Sequence, residues 1–179
     1  WLVRMGLPGD SDSVSALGQC AHATRSAVTV GGEILRVEHG HLWSPRRAAY
    51  DLPMHVPGRT EVPPLGFSLA AEIRDIAADP GAIAQFRAHG DRVVAFDAER
   101  THFDLRVRSW KHGDTLQPFG LRGHTKVGDL FTDHKLPTPL RHLWPLVLDG
   151  EELLWVVGLR RGTQAPVRRQ TRRVLTLAI

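Results

Sequence analysis

Between Phe103 and Ser109 two kinds of residue alternate without a break. Phe103, Leu105, Val107 and Ser109 share one parity; Asp104, Arg106 and Arg108 share the other. A period of two is the period of a strand, and a single apolar parity means one buried face. The segment is therefore a half-buried strand, with both arginines pointing away from the core. Other short pieces, set off by Gly and Pro, join it. Leu146–Leu148, the turn Asp149-Gly150 and Leu153–Val157 read as a hairpin, and 174–179 as a last strand. Lys126–Lys135 reads as a helix with Val127, Leu130 and Phe131 on one face. Pro137 to Trp144 reads as a second short helix, with Thr138 as N-cap and Pro139 in the first turn.

The first hundred residues are less regular. Ser13–Arg25 has helical spacing, with Ser11 or Ser13 as N-cap. Ala27–Val30, Gly31-Gly32 and Glu33–Glu38 spell a hairpin, and after a turn at His39-Gly40 a third strand starts at His41. Residues 45–66 are rich in Pro and Gly and predict loops joining short strands. Phe67–Ile76 and Arg92–Asp97 read as strands, with a short helix over 81–89 between them. The fold class expected is α+β, in two small subdomains: 1–102, a helix plus short strands, and 103–179, a small mixed sheet with two short helices.

Charge supports that division. Residues 1–104 carry 10 basic and 13 acidic side chains, net −3, whereas 105–179 carry 13 basic and 6 acidic, net +7. Of the 23 basic residues only Lys111, Lys126 and Lys135 are lysines. Arginine is planar, always charged and bidentate, which suits phosphate, although GC-rich codon usage also inflates its share. The segregation points to a polyanionic partner. The 42% hydrophobic content excludes long disorder. A single cysteine, Cys20, excludes an intramolecular disulfide framework and a cysteine-cluster zinc site. The ten histidines lack metal-ligand spacing, and we expect no metal. No apolar run reaches membrane-span length, and no signal-peptide pattern opens the chain. Trp1 is not a translation start, so the chain is expected to be an excised portion of something longer.

Residues 106–161 are more specific. Arg106 through Asp114 is followed by Pro118-Phe119-Gly120. Then come Gly123, Lys126, Asp129-Leu130-Phe131-Thr132-Asp133 and Lys135, and finally Pro145-Leu146-Val147 and Leu154-Trp155-Val156-Val157-Gly158-Leu159-Arg160. In this order and spacing the run resembles the C-terminal domain of the tRNA(Ile)-lysidine synthetases, with Thr171 and Val174-Leu175 similar to that domain's last strand. Pro57-Gly58, Pro64-Leu65-Gly66 and Phe96-Asp97-Ala98 are similar to the family's middle subdomain. Thr125 departs from the family, which often has a lysine there beside Lys126.

The resemblance implies an ATP-dependent ligase as the parent enzyme. It adenylates the wobble cytidine of a CAU-anticodon tRNA(Ile) and lets the lysine amine displace AMP, in the cytoplasm. It implies as partners that tRNA, an N-terminal catalytic domain and a possible homodimer. This chain would bind and position tRNA, hold no cofactor of its own (ATP belongs to the parent) and be inactive alone. Pro8-Gly9-Asp10-Ser11-Asp12-Ser13 mimics the catalytic domain's phosphate loop. Asp10, however, places a negative charge where phosphate would sit, and the segment reads instead as a helix cap.

The residues expected to contact RNA are Arg106, Arg108, Lys111, Arg122, Lys126, Lys135, Arg160, Arg161, Arg168 and Arg169, the last four in the densest basic stretch together with Arg172 and Arg173. Gly120, Arg122, Gly123 and Lys126 spell a glycine loop entering a helix, a pattern that can cradle phosphate. Residues 162–166 are expected to form a mobile loop. Asp114 is expected to accept backbone N–H groups in its turn. Asp129 and Asp133, four apart, read as surface charge rather than an acid/base pair. Among the aromatics Trp110 is the candidate for stacking on bases, while Trp144 and Trp155 are expected to pack inside. No catalytic residue is expected. The alternative from another class is a protein-interaction or dimerisation module, in which the acidic half docks on a basic surface without touching RNA.

Overall fold

The structure is a computed structural model, and it describes residues 7–21, 25–38, 41–43, 49–62, 66–76 and 90–179. The expected helix at 81–89, the turn at His39-Gly40, the apolar opening Trp1–Gly6 and the Pro64-Leu65 pair lie outside those residues.

A small unit comes first. Helix α1 (Ser11–Ala21) precedes a three-stranded antiparallel sheet of β1 (Arg25–Val30), β2 (Glu33–Glu38) and β3 (His41–Trp43). Leu7, Val30 and Leu35 form its buried cluster, with Leu17, Val28 and Leu42 packed on it. The helix is capped by Asp10 rather than by Ser11 or Ser13. Its Oδ1 accepts the Ser13 N–H at 2.9 Å and its Oδ2 the Ser13 hydroxyl at 3.0 Å. Those bonds hold the carboxyl below its ordinary value and confirm the segment as a cap.

The rest is a layered body. A four-stranded sheet holds β5 (Gly58–Val62), β6 (Phe67–Asp75), β7 (Val93–Asp97) and β14 (Arg173–Ala178), in the order β5-β6-β14-β7. A five-stranded sheet holds β4 (Asp51–Pro53), β8 (Leu105–Ser109), β11 (Pro145–Asp149), β12 (Glu152–Val156) and β13 (Arg160–Arg161), in the order β13-β12-β11-β8-β4. The two sheets enclose the main core, which includes Leu69, Phe96, Leu175 and Leu177 from one and Leu105, Val107, Val147 and Trp155 from the other. Helices α2 (Val127–Asp133) and α3 (Thr138–Arg141) cover the second face of the five-stranded sheet through Leu130, Phe131 and Leu140 against Leu146, Leu148 and Val156. A short hairpin, β9 (Thr115–Leu116) with β10 (Thr125–Lys126), leads into α2.

This layering explains why β11 and β12 read as nearly unbroken apolar runs. Both faces are covered, so both parities must be apolar. Val147 pairs with Trp155 and Leu148 with Leu153, so Leu154 is an extra residue that bulges from the ladder. Leu154 and Trp155 can then both enter the main core.

The α+β class holds, with two differences. Every pairing among the described residues is antiparallel, where a mixed sheet was expected. The sheets also cross the boundary expected at 102/103. Strand β14 sits between β6 and β7, and β4 pairs with β8. Charge composition changes near Asp104, but the ladder bonds and the core do not break there. Thr138 is the first residue of α3 rather than its cap, a position taken by Pro137.

Candidate nucleic-acid interface

Strand β8 places Leu105, Val107 and Ser109 on the main core, so Arg106 and Arg108 project from its other face. That face is not open, because Arg108 lies opposite Leu146, on the side that the helices cover. Its guanidinium meets Asp114 through two bonds of 2.8 Å, with the two side chains only 12% and 15% exposed. Asp114 also accepts the Lys111 N–H at 2.8 Å, as expected of a turn aspartate. Burial alone would raise the Asp114 pKa. The Arg108 bonds and the Lys111 N–H outweigh it, and the carboxyl sits below its ordinary value. The same bonds hold Arg108 above its ordinary value. Arg106 pairs with Asp51 at 2.9 Å near the surface. Alternation showed which face is apolar; it carried no information on whether the other face is covered.

Arg161 is also turned inward. Its Nε donates to the Ala95 carbonyl at 3.0 Å and one terminal nitrogen to the Gly162 carbonyl at 2.7 Å. The other terminal nitrogen makes longer bonds of 3.4 Å to the Gln164 and Ala165 carbonyls. The guanidinium lies between two rings, 4.5 Å from the Phe96 centroid and 4.4 Å from that of Phe119. Burial pushes its pKa down to about 10, which leaves it charged at neutral pH. Among the described residues no carboxylate pairs with it. This side chain ties β13, at the edge of one sheet, to β7 of the other.

The segment after it is anchored rather than mobile. Gly162 N–H donates to Leu154, Thr163 N–H to Gln117, and Asp97 N–H to Ala165. Asp97, itself buried, accepts the buried Thr171 hydroxyl at 2.6 Å. Arg168 and Thr171 exchange bonds across a tight turn, which leaves the Arg168 and Arg169 side chains exposed.

Lys111, Arg122, Lys126 and Lys135 are exposed as well, and Arg160 is half-buried. None of these, nor Arg168 or Arg169, has a carboxylate at ion-pair distance among the described residues. Arg122 lies in the 117–124 loop, Lys126 in β10, and Lys135 just after α2 in the left-handed region at φ 53°. The loop-to-helix phosphate cradle is not built as expected. Helix α2 has only seven residues, and its first N–H, that of Val127, already donates to the Asp114 carbonyl at 2.9 Å. Asp129 and Asp133 are exposed surface charges.

The three tryptophans of the basic half are mostly interior. Trp155 is fully buried, and Trp144 gives its indole N–H to the Val157 carbonyl at 3.1 Å. Trp110 is half-buried, edge-on to Phe131 at 5.4 Å, so most of the expected stacking surface faces the core beneath α2. Phe103, expected on the buried face of the 103–109 strand, instead precedes β8 at φ 60° and is 42% exposed. The other exposed aromatic among the described residues, which sequence reasoning passed over, is Phe119, 48% exposed in the 117–124 loop. Its signal was present: a ring between Pro118 and Gly120, in a turn where no helix or strand periodicity would bury it.

Comparison with known proteins adds the family. The family model described as the TilS substrate C-terminal domain matches residues 105–175. The tRNA(Ile)-lysidine synthase of Geobacter sulfurreducens is 40% identical over 84 residues, 47% of this chain and 18% of that protein. That of Symbiobacterium thermophilum is 34% identical over 129 residues, 68% of this chain and 26% of that protein. The chain thus matches about a fifth to a quarter of the length of these relatives. A crystal structure of a TilS C-terminal domain superposes with a TM-score of 0.62 at 26% identity, covering 73% of this chain and 95% of that one. Motif order, layered fold and these matches agree: the chain belongs to the tRNA(Ile)-lysidine synthase family and carries its substrate C-terminal domain at residues 105–175.

Proposed function

We propose that this chain binds and positions a tRNA(Ile) with a CAU anticodon for an N-terminal catalytic domain of the parent enzyme. In this reading the other domain converts the wobble cytidine to lysidine with ATP and lysine, in the cytoplasm. The present chain supplies grip, makes no lysidine by itself and holds no ATP. No helix among the described residues is long and apolar enough to cross a membrane.

One observation carries the reading. In the basic half the inward arginines are satisfied by the protein's own acceptors, Arg108 by Asp114 and Arg161 by backbone carbonyls. The outward cations, Lys111, Arg122, Lys126, Lys135, Arg168 and Arg169, have no such carboxylate partner among the described residues. A domain that satisfies the hydrogen bonds of its inward arginines internally and leaves its other cations in solvent suits a phosphate backbone. RNA duplexes are read largely through phosphates, 2′-OH groups and shape, and dispersed cations suit that task.

The test is binding of a tRNA(Ile) transcript to the chain and to its charge-reversal variants. Arg168→Glu with Arg169→Glu, and separately Arg122→Glu with Lys126→Glu, should each weaken binding at least ~10-fold at moderate salt. Arg106→Glu, whose side chain already pairs with Asp51, should weaken it far less. Equal, small effects from all three would contradict the assignment.

A further inference from the structure

The 117–124 loop, between β9 and β10, carries two large apolar side chains that neither core uses. Phe119 is 48% and Leu121 55% exposed. The loop that presents them is held at several points. Phe119 N–H donates to the Arg161 carbonyl at 2.9 Å, and Leu121 N–H to the Pro118 carbonyl at 3.1 Å. Thr163 N–H donates to Gln117, and Pro118 bridges to Gly162. Gly120 and Gly123, at φ 81° and 88°, permit the left-handed backbone this shape needs. Such exposure on an anchored loop is a built feature.

The chemistry behind the Phe119 ring indicates what its outer face takes. The Arg161 guanidinium lies 4.4 Å from the ring centroid and is itself backed by Phe96 at 4.5 Å. A cation on one face of a ring engages its negative quadrupole, so a second cation on the other face is disfavoured. A neutral, flat π-system still gains dispersion and desolvation there. A basic protein segment is therefore a poor occupant and a nucleobase a good one. Arg122 and Lys126 stand exposed on the same hairpin, placed for the phosphate that accompanies a base.

From this juxtaposition we infer that the 117–124 loop is a stacking finger for an unpaired nucleobase of RNA. Phe119 is the platform, Leu121 an apolar flank, and Arg122 the contact to the adjoining phosphate. The inference rests on the RNA-binding reading above and adds how a base, as distinct from the backbone, is held.

The test uses the full chain and two probes. One is a blunt RNA duplex; the other is the same duplex with a single-stranded 3′ extension containing 2-aminopurine. Phe119→Leu keeps an apolar group over Arg161 but removes the π-face, and Phe119→Tyr keeps the π-face. Wild type and Phe119→Tyr should quench the 2-aminopurine fluorescence on binding. Phe119→Leu should lose that quenching and bind the extended probe about 10-fold more weakly, as single-base stacking predicts. Its affinity for the blunt duplex should not change. Unquenched 2-aminopurine in the wild-type complex overturns the finger without reference to any variant's stability. So does Phe119→Leu that quenches and binds as wild type does. Either result leaves the RNA-binding reading standing if both probes still bind with steep salt dependence. Absence of binding to either probe and to tRNA overturns both.

Discussion

Arg161 is the residue on which a surface reading and an interior reading of this domain differ most, and its replacement separates them. Arg161→Ala removes two well-formed hydrogen bonds, to Ala95 at 3.0 Å and to Gly162 at 2.7 Å. At about 1.5 kcal/mol for each charge-assisted bond, their loss costs about 3 kcal/mol. The two cation–π contacts, at 4.5 and 4.4 Å, add about 2 kcal/mol together. The two 3.4 Å bonds add little. Against this, about 2 kcal/mol returns because the buried guanidinium no longer has to be desolvated. The net loss is about 3 kcal/mol, which for a chain of this size lowers Tm by about 6–12 °C. Arg161→Lys should recover little of it, since an ammonium has no planar fork to serve these carbonyls or to lie flat between two rings. Thermal melts followed by tryptophan fluorescence measure the shift. RNA binding well below the melt should keep its wild-type salt slope. A Tm within about 1 °C of wild type, with a salt slope smaller by about 0.7–0.9, would refute the reasoning and restore Arg161 to the RNA surface.

Other substitutions have defined outcomes. Thr171→Val removes the 2.6 Å bond to buried Asp97 and leaves a carboxylate oxygen short of a partner. It should cost about 2–3 kcal/mol by urea denaturation, and a loss below about 0.5 kcal/mol would count against that bond. Lys135→Gly relieves a left-handed φ of 53° and should raise stability by about 1 kcal/mol, while weakening tRNA binding if its ammonium meets phosphate. Asp114 is a carboxyl whose folded pKa lies below its ordinary 3.8. Its contribution is therefore complete above that value and is lost as pH falls through the lower folded one. Asp114→Asn should flatten stability against pH in that acid window, and an unchanged acid profile would contradict the pairing with Arg108. Phe131→Ala, in the core under the helices, should cost about 3–5 kcal/mol.

Much of the fold is written in local pattern. The alternation through β8, the apolar runs of β11 and β12 around Asp149-Gly150, and the Gly31-Gly32 hairpin each carry their own period and turn. What pattern does not carry is partnership at a distance. Strand β14 pairs with β6 and β7, the former about a hundred positions earlier, and nothing within 173–178 names those neighbours. Strands β9, β10 and β13 have two residues each, too few to show a period. The candidate site divides the same way. Charge segregation is visible in composition, but whether a given arginine is outward depends on what covers its face. Arg108 and Arg161 look like Arg168 in sequence. A helix layer and a pair of phenylalanine rings make them interior. Phe119 was overlooked for the converse reason, because an aromatic residue in a glycine loop is usually counted as packing.

A tRNA-gripping role for this chain requires its outward cations to meet phosphate. The measurement is the affinity of this chain for a CAU-anticodon tRNA(Ile) transcript over a salt series, beside a tRNA of different sequence. Engagement of roughly five phosphates predicts that log K falls with log salt at a slope of about −4, with tighter binding of the tRNA(Ile). A flat salt dependence, or no binding at low salt, would contradict the account.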